Sequence, residues 1–129
     1  SNKHILMDYI EIELIVPKPP SLNMIYAGKH WTYRYKKKNE YKEACKKELA
    51  KHDKFTADRI RIAIVYNSRL DIDNGILVSK FLADTLKEEG YIPDDNPQHY
   101  DLITIKFDGS LDKNCYVATI RCWGYKIRE

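Results

Sequence analysis

The chain lacks the cysteine pattern of a disulfide-linked or zinc-binding protein. It has three cysteines, an odd number, and none of them forms a C-x-x-C pair. This pattern argues against a disulfide framework and against a structural zinc site. We therefore expect Cys45, Cys115 and Cys122 to be free thiols in a reducing cytoplasm.

The chain also lacks a long apolar run. No stretch approaches the ~20 apolar residues that a membrane-spanning helix needs, and the first residues lack the apolar core of a signal peptide. Ser1 and Asn2, which no methionine precedes, fit a tag remnant. We expect no membrane partner for this protein.

Several familiar catalytic patterns are absent as well. No serine lies in a G-x-S-x-G context, and the four histidines are not at metal-ligand spacing. The run that begins at Asp71 is not an EF-hand loop, because Ile76 and Leu82 stand where that loop needs glycine and glutamate. Serine-hydrolase chemistry, zinc chemistry and EF-hand calcium binding are therefore disfavoured.

The periodicity of apolar residues predicts one small domain. Alternating residues predict strands, and a 3.6-residue period predicts helices. The predicted strands are 9–16, 61–66, 99–107 and 115–123, and the predicted helices are 38–52 and 73–90. A turn at Asp108-Gly109-Ser110 is predicted to join the last two strands as a hairpin. This order favours a single α+β domain, residues 1–129, with the helices packed on a mixed sheet.

Positive charge is concentrated between residues 29 and 51, where nine basic and three acidic residues give a net charge of +6. The first part of this segment, up to Tyr35, is expected to be a loop in which cations alternate with Trp31 and Tyr33. Lysine and arginine neutralise phosphates, and aromatic rings stack on exposed bases. We predict DNA contacts for the following cations: Lys29, Arg34, Lys36, Lys37, Lys38 and Arg69. The alternative is a solvated loop whose aromatic rings pack on the sheet.

Negative charge is concentrated between residues 67 and 101, where eight acidic and three basic residues give a net charge of −5. Asp71, Asp73 and Asp95 supply carboxylate oxygens, which suit Mg²⁺ beside water and phosphate. At about 100° per residue, Asp73 and Lys80 share one helix face, so the Lys80 amine can extend toward the helix start. A magnesium site beside a cationic amine suits phosphodiester hydrolysis.

A purely structural interpretation of the same residues stays open. Asp73 or Asn74 can serve as the N-cap of a helix that ends at Gly90. Lys80 and Asp84 stand four residues apart and can form a surface ion pair. In the first helix, one stripe of four residues is expected to face the core: Tyr41, Cys45, Leu49 and His52.

Two blocks of residues resemble a known family. The first is Pro19-Pro20-Ser21-Leu22-Asn23 with Tyr26, similar to a P-P-S-x-N-x-x-Y opening. The second is Asp71-Ile72-Asp73-Asn74, then Lys80, Asp84, Leu86, Gly90 and Asp94-Asp95, similar to a D-x-D-N…K…D-x-L…G…D-D core. With these blocks the chain resembles the RusA-like Holliday junction resolvases of phages and prophages. About three extra residues between Asp73 and Lys80 depart from the family pattern.

The resemblance implies a metal-dependent endodeoxyribonuclease in the cytoplasm of a bacterial host. It maps the catalytic residues onto Asp71, Asp73, Lys80 and Asp95, with the three carboxylates holding Mg²⁺, for which Mn²⁺ can substitute. We expect Asn74 to orient Asp73, Asp84 to hold Lys80, and Asp94 to neighbour the metal ligands. The resemblance also implies a homodimer that resolves four-way DNA junctions by paired symmetric nicks, without a small-molecule cofactor.

Two alternatives to junction resolution remain. The first is a nuclease with the same chemistry that acts on flaps or replication forks. The second is a junction-binding phage protein whose catalytic site is weak.

Overall fold

A computed structural model describes residues 8–21 and 31–129 of the chain. In this part the elements follow one another as β1 (Ile10–Val16), α1 (Trp31–Leu49), β2 (Phe55–Thr56), β3 (Arg59–Asn67), α2 (Asp73–Glu88), β4 (Tyr100–Phe107), β5 (Cys115–Trp123) and β6 (Lys126–Ile127). The predicted order of strands and helices is confirmed, with two very short strands, β2 and β6, in addition.

The main sheet has four strands in the order β1-β5-β3-β4. Strand β5 pairs antiparallel with both β1 and β3, whereas β4 pairs parallel with β3. The sheet is therefore mixed, and the predicted α+β class is confirmed. The predicted hairpin of the last two strands is wrong, because β3 lies between β4 and β5. Parallel pairing of β3 and β4 requires a crossover connection, and α2 provides it.

One face of the sheet forms the core together with both helices. Alternate residues of β3 are buried, namely Ile60, Ile62, Ile64 and Tyr66. Ile62 pairs with Ile120 of β5, which in turn pairs with Ile12 of β1, and all three are buried. The helices add Tyr41, Cys45 and Leu49 from α1 and Leu77, Val78, Phe81, Leu82 and Leu86 from α2. The period-two and 3.6-residue patterns in the sequence thus point to one shared core.

Helix α1 begins earlier than predicted. Residues 31–35, expected to be a loop, form its first turns. Tyr41, Cys45 and Leu49 are buried as predicted, but His52 lies beyond the end of the helix and is exposed. His52 instead contacts the Glu13 carbonyl oxygen through Nε2 at 3.1 Å. The predicted stripe therefore ends one turn early.

Helix α2 begins at Asp73 and ends at Glu88, two residues before the predicted end at Gly90. Its N-cap is Ile72, which makes no side-chain cap bond, so the prediction of Asp73 or Asn74 as the cap is wrong. At the other end the Gly90 amide donates to the Lys87 carbonyl oxygen, and Gly90 has φ +80°. This left-handed conformation after the last turn is the usual role of a helix-ending glycine.

No helix in the described part of the chain is long and apolar enough to cross a membrane.

Candidate metal and nucleic-acid site

Asp71 and Asp73 lie where the chain passes from β3 into α2, and both are exposed. The turn between them is held from one side by Asn74, whose backbone amide and side-chain Nδ2 both donate to the Asp71 carbonyl oxygen, at 3.0 and 3.2 Å. Asn74, predicted to orient Asp73, thus contacts the main chain of Asp71. Asp73 stands in the first turn of α2, where the helix dipole favours a negative charge.

Asp95 lies in the loop between α2 and β4. Its backbone amide donates to Asp94 Oδ1 at 2.8 Å, and Asn96 Nδ2 donates to Asp94 Oδ2 at 3.1 Å. The Lys87 amine lies 3.1 Å from Asp94 and 3.7 Å from Asp95. The Asp95 amide, with Lys87, lowers the pKa of Asp94, and Asp94 in turn raises the pKa of Lys87. Asp94 is therefore a fixed carboxylate that shapes the loop carrying Asp95.

Lys80 and Asp95 line the same open cleft between α2 and β4, with a volume of about 360 Å³. Tyr100 closes one side, and burial raises the pKa of its hydroxyl. Asp84 also lines this cleft, but its cation is Lys38 of α1, at 3.5 Å. The predicted pairing of Asp84 with Lys80 is wrong. Among the described residues no carboxylate lies within 4.0 Å of the Lys80 amine.

The helix between Asp73 and Lys80 is continuous, so the extra residues of this chain lie inside α2. Seven helical steps place the two side chains on one face, about 10 Å apart along the axis. A lysine side chain leans toward the helix start and covers much of that distance. The predicted shared face therefore follows from the observed helix.

Asp95 is separated from the other two carboxylates within one chain. Because β3 and β4 are parallel, residues that follow β3 and residues that precede β4 lie at opposite ends of the sheet. Asp95 lines a cleft with Lys80, which stands about 10 Å along α2 from Asp73, and it lies 3.7 Å from the amine of Lys87 in the last turn of the helix. Across residues 8–21 and 31–129, no three Asp, Glu, His or Cys side chains are placed to hold a metal. The predicted three-carboxylate set does not assemble within a single described chain.

Residues 31–38, called here the basic arm, form the first two turns of α1 and carry four of the cations predicted to contact DNA. Three of its lysines meet carboxylates: Lys36 and Lys37 lie 4.0 and 3.6 Å from Glu40, and Lys38 pairs with Asp84. Exposed ion pairs such as those with Glu40 contribute little to stability. Arg34 is half-buried in the same turns. Lys29 lies outside the described residues.

Two of the three aromatic residues of the basic arm are exposed to solvent. Trp31 and Tyr35 are 62% and 61% exposed, which excludes the alternative that these two rings pack on the sheet. Their ring centroids are 6.4 Å apart in an edge-to-face arrangement. Tyr33 lies under the Lys37 amine, 5.6 Å from the ring centroid. Two exposed rings beside cations are suited to contact nucleic-acid bases.

Arg69 lies in a basic cleft that the sequence pattern did not indicate. This cleft also contains Lys18, from the segment after β1, and Lys113, from the turn between β4 and β5. The three cations are far apart in the chain, so no local motif joins them. Only the strand order, in which β3 lies next to both β4 and β5, brings these segments together.

No model of a known protein family matches the chain, and no curated protein matches it significantly. The resemblance to RusA-like resolvases therefore stays a prediction from the two motif blocks. Of the first block, Pro19, Pro20 and Ser21 are described, and Leu22, Asn23 and Tyr26 lie outside the described residues.

Proposed function

We propose that the protein is a metal-dependent endodeoxyribonuclease that acts on branched DNA as a homodimer. The observation that carries the proposal is the exposed pair Asp71 and Asp73 at the start of α2, with Lys80 on the same helix face. Four-way junctions are the proposed substrate, because a twofold dimer presents one site to each of two opposed strands. The proposed location is the cytoplasm of a bacterial host, where a prophage would encode the protein.

The proposed dimer joins two chains through β4. This strand lies at the edge of the described sheet, and an edge strand can pair with another through its free backbone groups. Apolar side chains are exposed beside this edge: Leu102 of β4 is 46% exposed and Ile76 of α2 is 52% exposed, and both line the cleft between α2 and β4. Exposed apolar residues that lie together are typical of an interaction surface.

The sequence of β4 is compatible with antiparallel pairing with its own copy. In a register centred on Thr104, Ile103 faces the partner subunit's Ile105, and the reverse contact follows from the twofold axis. Both side chains are half-buried in one chain, and β-branched apolar residues at facing positions of an antiparallel pair are favourable.

This dimer would complete the site. Antiparallel pairing reverses the direction of the second β3-α2-β4 unit. The partner subunit's Asp95 then lies at the end of the joined sheet where Asp71 and Asp73 follow β3. Each of the two sites would combine two carboxylates from one chain with one from the other, which accounts for the separation of Asp95 within a single chain.

In the proposed site the carboxylates of Asp71, Asp73 and the partner subunit's Asp95 hold the metal. Carboxylate oxygens fit Mg²⁺, and Mn²⁺ can replace it. When bound there, the ion supplies charge neutralisation at the phosphate and a more acidic water. Lys80 stabilises negative charge on the phosphate oxygens in the transition state. Asn74 fixes the Asp71 turn, and Asp94 fixes the loop of Asp95.

A junction-binding protein without nuclease activity is the second candidate. It is favoured by one observation, that no metal site assembles among the described residues of one chain. A nuclease for flaps or forks would use the same carboxylates. A panel of labelled branched DNAs, with and without Mg²⁺, separates these functions.

The test compares nicking of a labelled four-way junction by the wild type, Asp73→Asn and Asp53→Asn. Asp53 is an exposed carboxylate before β2, near the opposite end of the sheet, and serves as the matched control. We expect paired nicks with Mg²⁺ from the wild type and from Asp53→Asn, and none from Asp73→Asn. Normal nicking by Asp73→Asn would refute the assignment.

A further inference from the structure

Three loops bring three cations together at the carboxyl end of β3. Lys18 follows β1, Arg69 follows β3, and Lys113 lies in the turn between β4 and β5. All three side chains are exposed and line one open cleft of about 440 Å³. The cleft is therefore a product of the tertiary fold, since no two of these cations belong to one element.

The floor of this cleft is held by hydrogen bonds between loops. The Asn114 amide donates to the Asn67 carbonyl oxygen at 2.6 Å, and Asn67 Nδ2 donates to the Leu111 carbonyl oxygen at 2.7 Å. Ser68 Oγ lies 2.6 Å from the hydroxyl of the fully buried Tyr116. These bonds tie the segment before Arg69 to the segment that carries Lys113, so the cations have a defined placement.

The charges in the cleft are unbalanced. No carboxylate lines it, and among the described residues none of its three cations has a carboxylate within 4.0 Å. Three lysines of α1 behave differently, since Lys36, Lys42 and Lys46 each meet a glutamate. Three cations that converge without a counter-charge create a positive potential, which favours an anion of extended charge.

The cleft adjoins the proposed catalytic carboxylates. Arg69 is two residues from Asp71, so their Cα atoms are at most about 7 Å apart. A strand whose phosphate lies at Asp71 and Asp73 would pass its neighbouring phosphates across the cleft. We propose that Lys18, Arg69 and Lys113 bind the phosphodiester backbone of the DNA strand next to the bond that is cut. This inference rests on the proposed nuclease function for the choice of DNA.

The test measures binding of a fluorescent four-way junction to the full chain by anisotropy, over a series of salt concentrations. The double variant Lys18→Ala/Lys113→Ala is compared with Lys47→Ala/Lys126→Ala, which removes the same charge from exposed lysines outside the cleft. Each lost phosphate contact lowers the slope of log affinity against log salt by about 0.9. We expect a decrease of about 1.8 for the cleft variant and about tenfold or greater loss of affinity at low salt. The control should differ little from the wild type.

Circular dichroism and the melting temperature establish that both double variants are folded. Equal slopes for the two double variants would overturn the assignment of the cleft.

Nicking assays on the same proteins distinguish this result from failure of the proposed function. A wild type that binds DNA through the cleft but never nicks it would refute the nuclease and support the cleft. If the wild type nicks junctions and the cleft variant binds DNA as the wild type does, the nuclease is supported and the cleft is refuted. A wild type that does not bind DNA would overturn the cleft as well.

Discussion

The side-chain amide of Asn74 donates a hydrogen bond to the carbonyl oxygen of Asp71 at 3.2 Å, across the turn into α2. Asn74 is 5% exposed, so this bond is shielded from water. Because the same turn carries Asp71 and Asp73 at the protein surface, the conformation of both carboxylates depends on a buried amide.

Asn74→Ala should reduce nicking without reducing junction affinity, because it frees the turn that presents the carboxylates. Loss of the bond should cost about 1 kcal/mol of unfolding free energy. Asn74→Asp keeps the shape but not the donor, and we expect it to lower kcat as well. If Asn74→Asp nicked as fast as the wild type, the role of the donor would be refuted. Chemical denaturation and single-turnover nicking give both quantities.

Gly75 lies where α2 packs directly against Ile105 of β4. A Cβ at this position would lie 2.6 Å from Cγ2 of Ile105. Gly75→Ala should therefore destabilise the protein by about 1–3 kcal/mol through overpacking. The better helix propensity of alanine offsets up to ~1 kcal/mol of this loss. The second change Ile105→Ala should make Gly75→Ala less costly. A double-mutant cycle by urea denaturation measures this coupling, and strict additivity would contradict the contact.

Lys42 of α1 and Glu88 of α2 form an ion pair between the two helices, as Lys38 and Asp84 do. The Lys42 amine donates to Glu88, whose pKa is lowered mainly by this bond. A carboxyl group with a lowered pKa stabilises the fold above its unfolded pKa, near 4.3, and this contribution is lost as the pH falls through the folded pKa. Glu88→Gln should thus lose stability at pH 7 and decline less between pH 5 and 3.

A double variant tests the cost of leaving Lys42 without its partner. The Lys42 side chain is 9% exposed, so removal of Glu88 alone leaves a buried ammonium group without its partner. Lys42→Met/Glu88→Gln should therefore be more stable than Glu88→Gln. If the pH profile of unfolding were the same in the wild type and in Glu88→Gln, the linkage would be wrong.

The cysteines differ in their access to solvent. Cys45 and Cys122 are fully buried, and burial raises the pKa of each thiol to about 12. Cys115 is only half-buried. A thiol-specific reagent at pH 8 should therefore modify one cysteine in the native protein and three after denaturation. Mass spectrometry of the native reaction should find the label on Cys115; rapid labelling of Cys45 would contradict the packing of α1.

The elements of this fold could be predicted where local periodicity is strong. The predicted bounds of β5 match the observed ones, and the prediction for β3 omits only three of its nine residues. Both strands alternate between buried and more exposed positions, which gives a clear period of two. The start of α1 was missed, because Trp31, Tyr33 and Tyr35 have modest helix propensity and sit among cations. Strands β2 and β6 have two residues each, too few for any period.

The pairing of β4 could not be predicted from its turn. Asp108 and Ser110 do form a tight turn, since Asp108 Oδ1 accepts from the Ser110 amide at 2.9 Å. A turn after a strand, however, does not decide which strand it pairs with. The Asp108 amide donates to the Tyr66 carbonyl oxygen of β3, so the chain passes over β3 before β5 begins. Nonlocal packing of α2 on the sheet sets this order.

The same limit applies to the candidate site. The chain positions of Asp71, Asp73 and Lys80 were sufficient to place them around the start of one helix, because helical geometry is local. The distance to Asp95 depends on the direction of β4, which the sequence pattern left open. The partner of Asp84 likewise depends on how α1 packs against α2, and Lys38 was not foreseen there.

The most direct test of the account is complementation between two inactive chains. Asp73→Asn and Asp95→Asn are purified separately, mixed, dissociated, reassembled and assayed for Mg²⁺-dependent nicking of a labelled four-way junction. If Asp95 serves the partner's site, each mixed dimer has one intact site and one doubly substituted site. Random reassembly should then restore about a quarter of wild-type nicking. If the mixture stays as inactive as its parents while mass analysis shows mixed dimers, the composite carboxylate site is wrong.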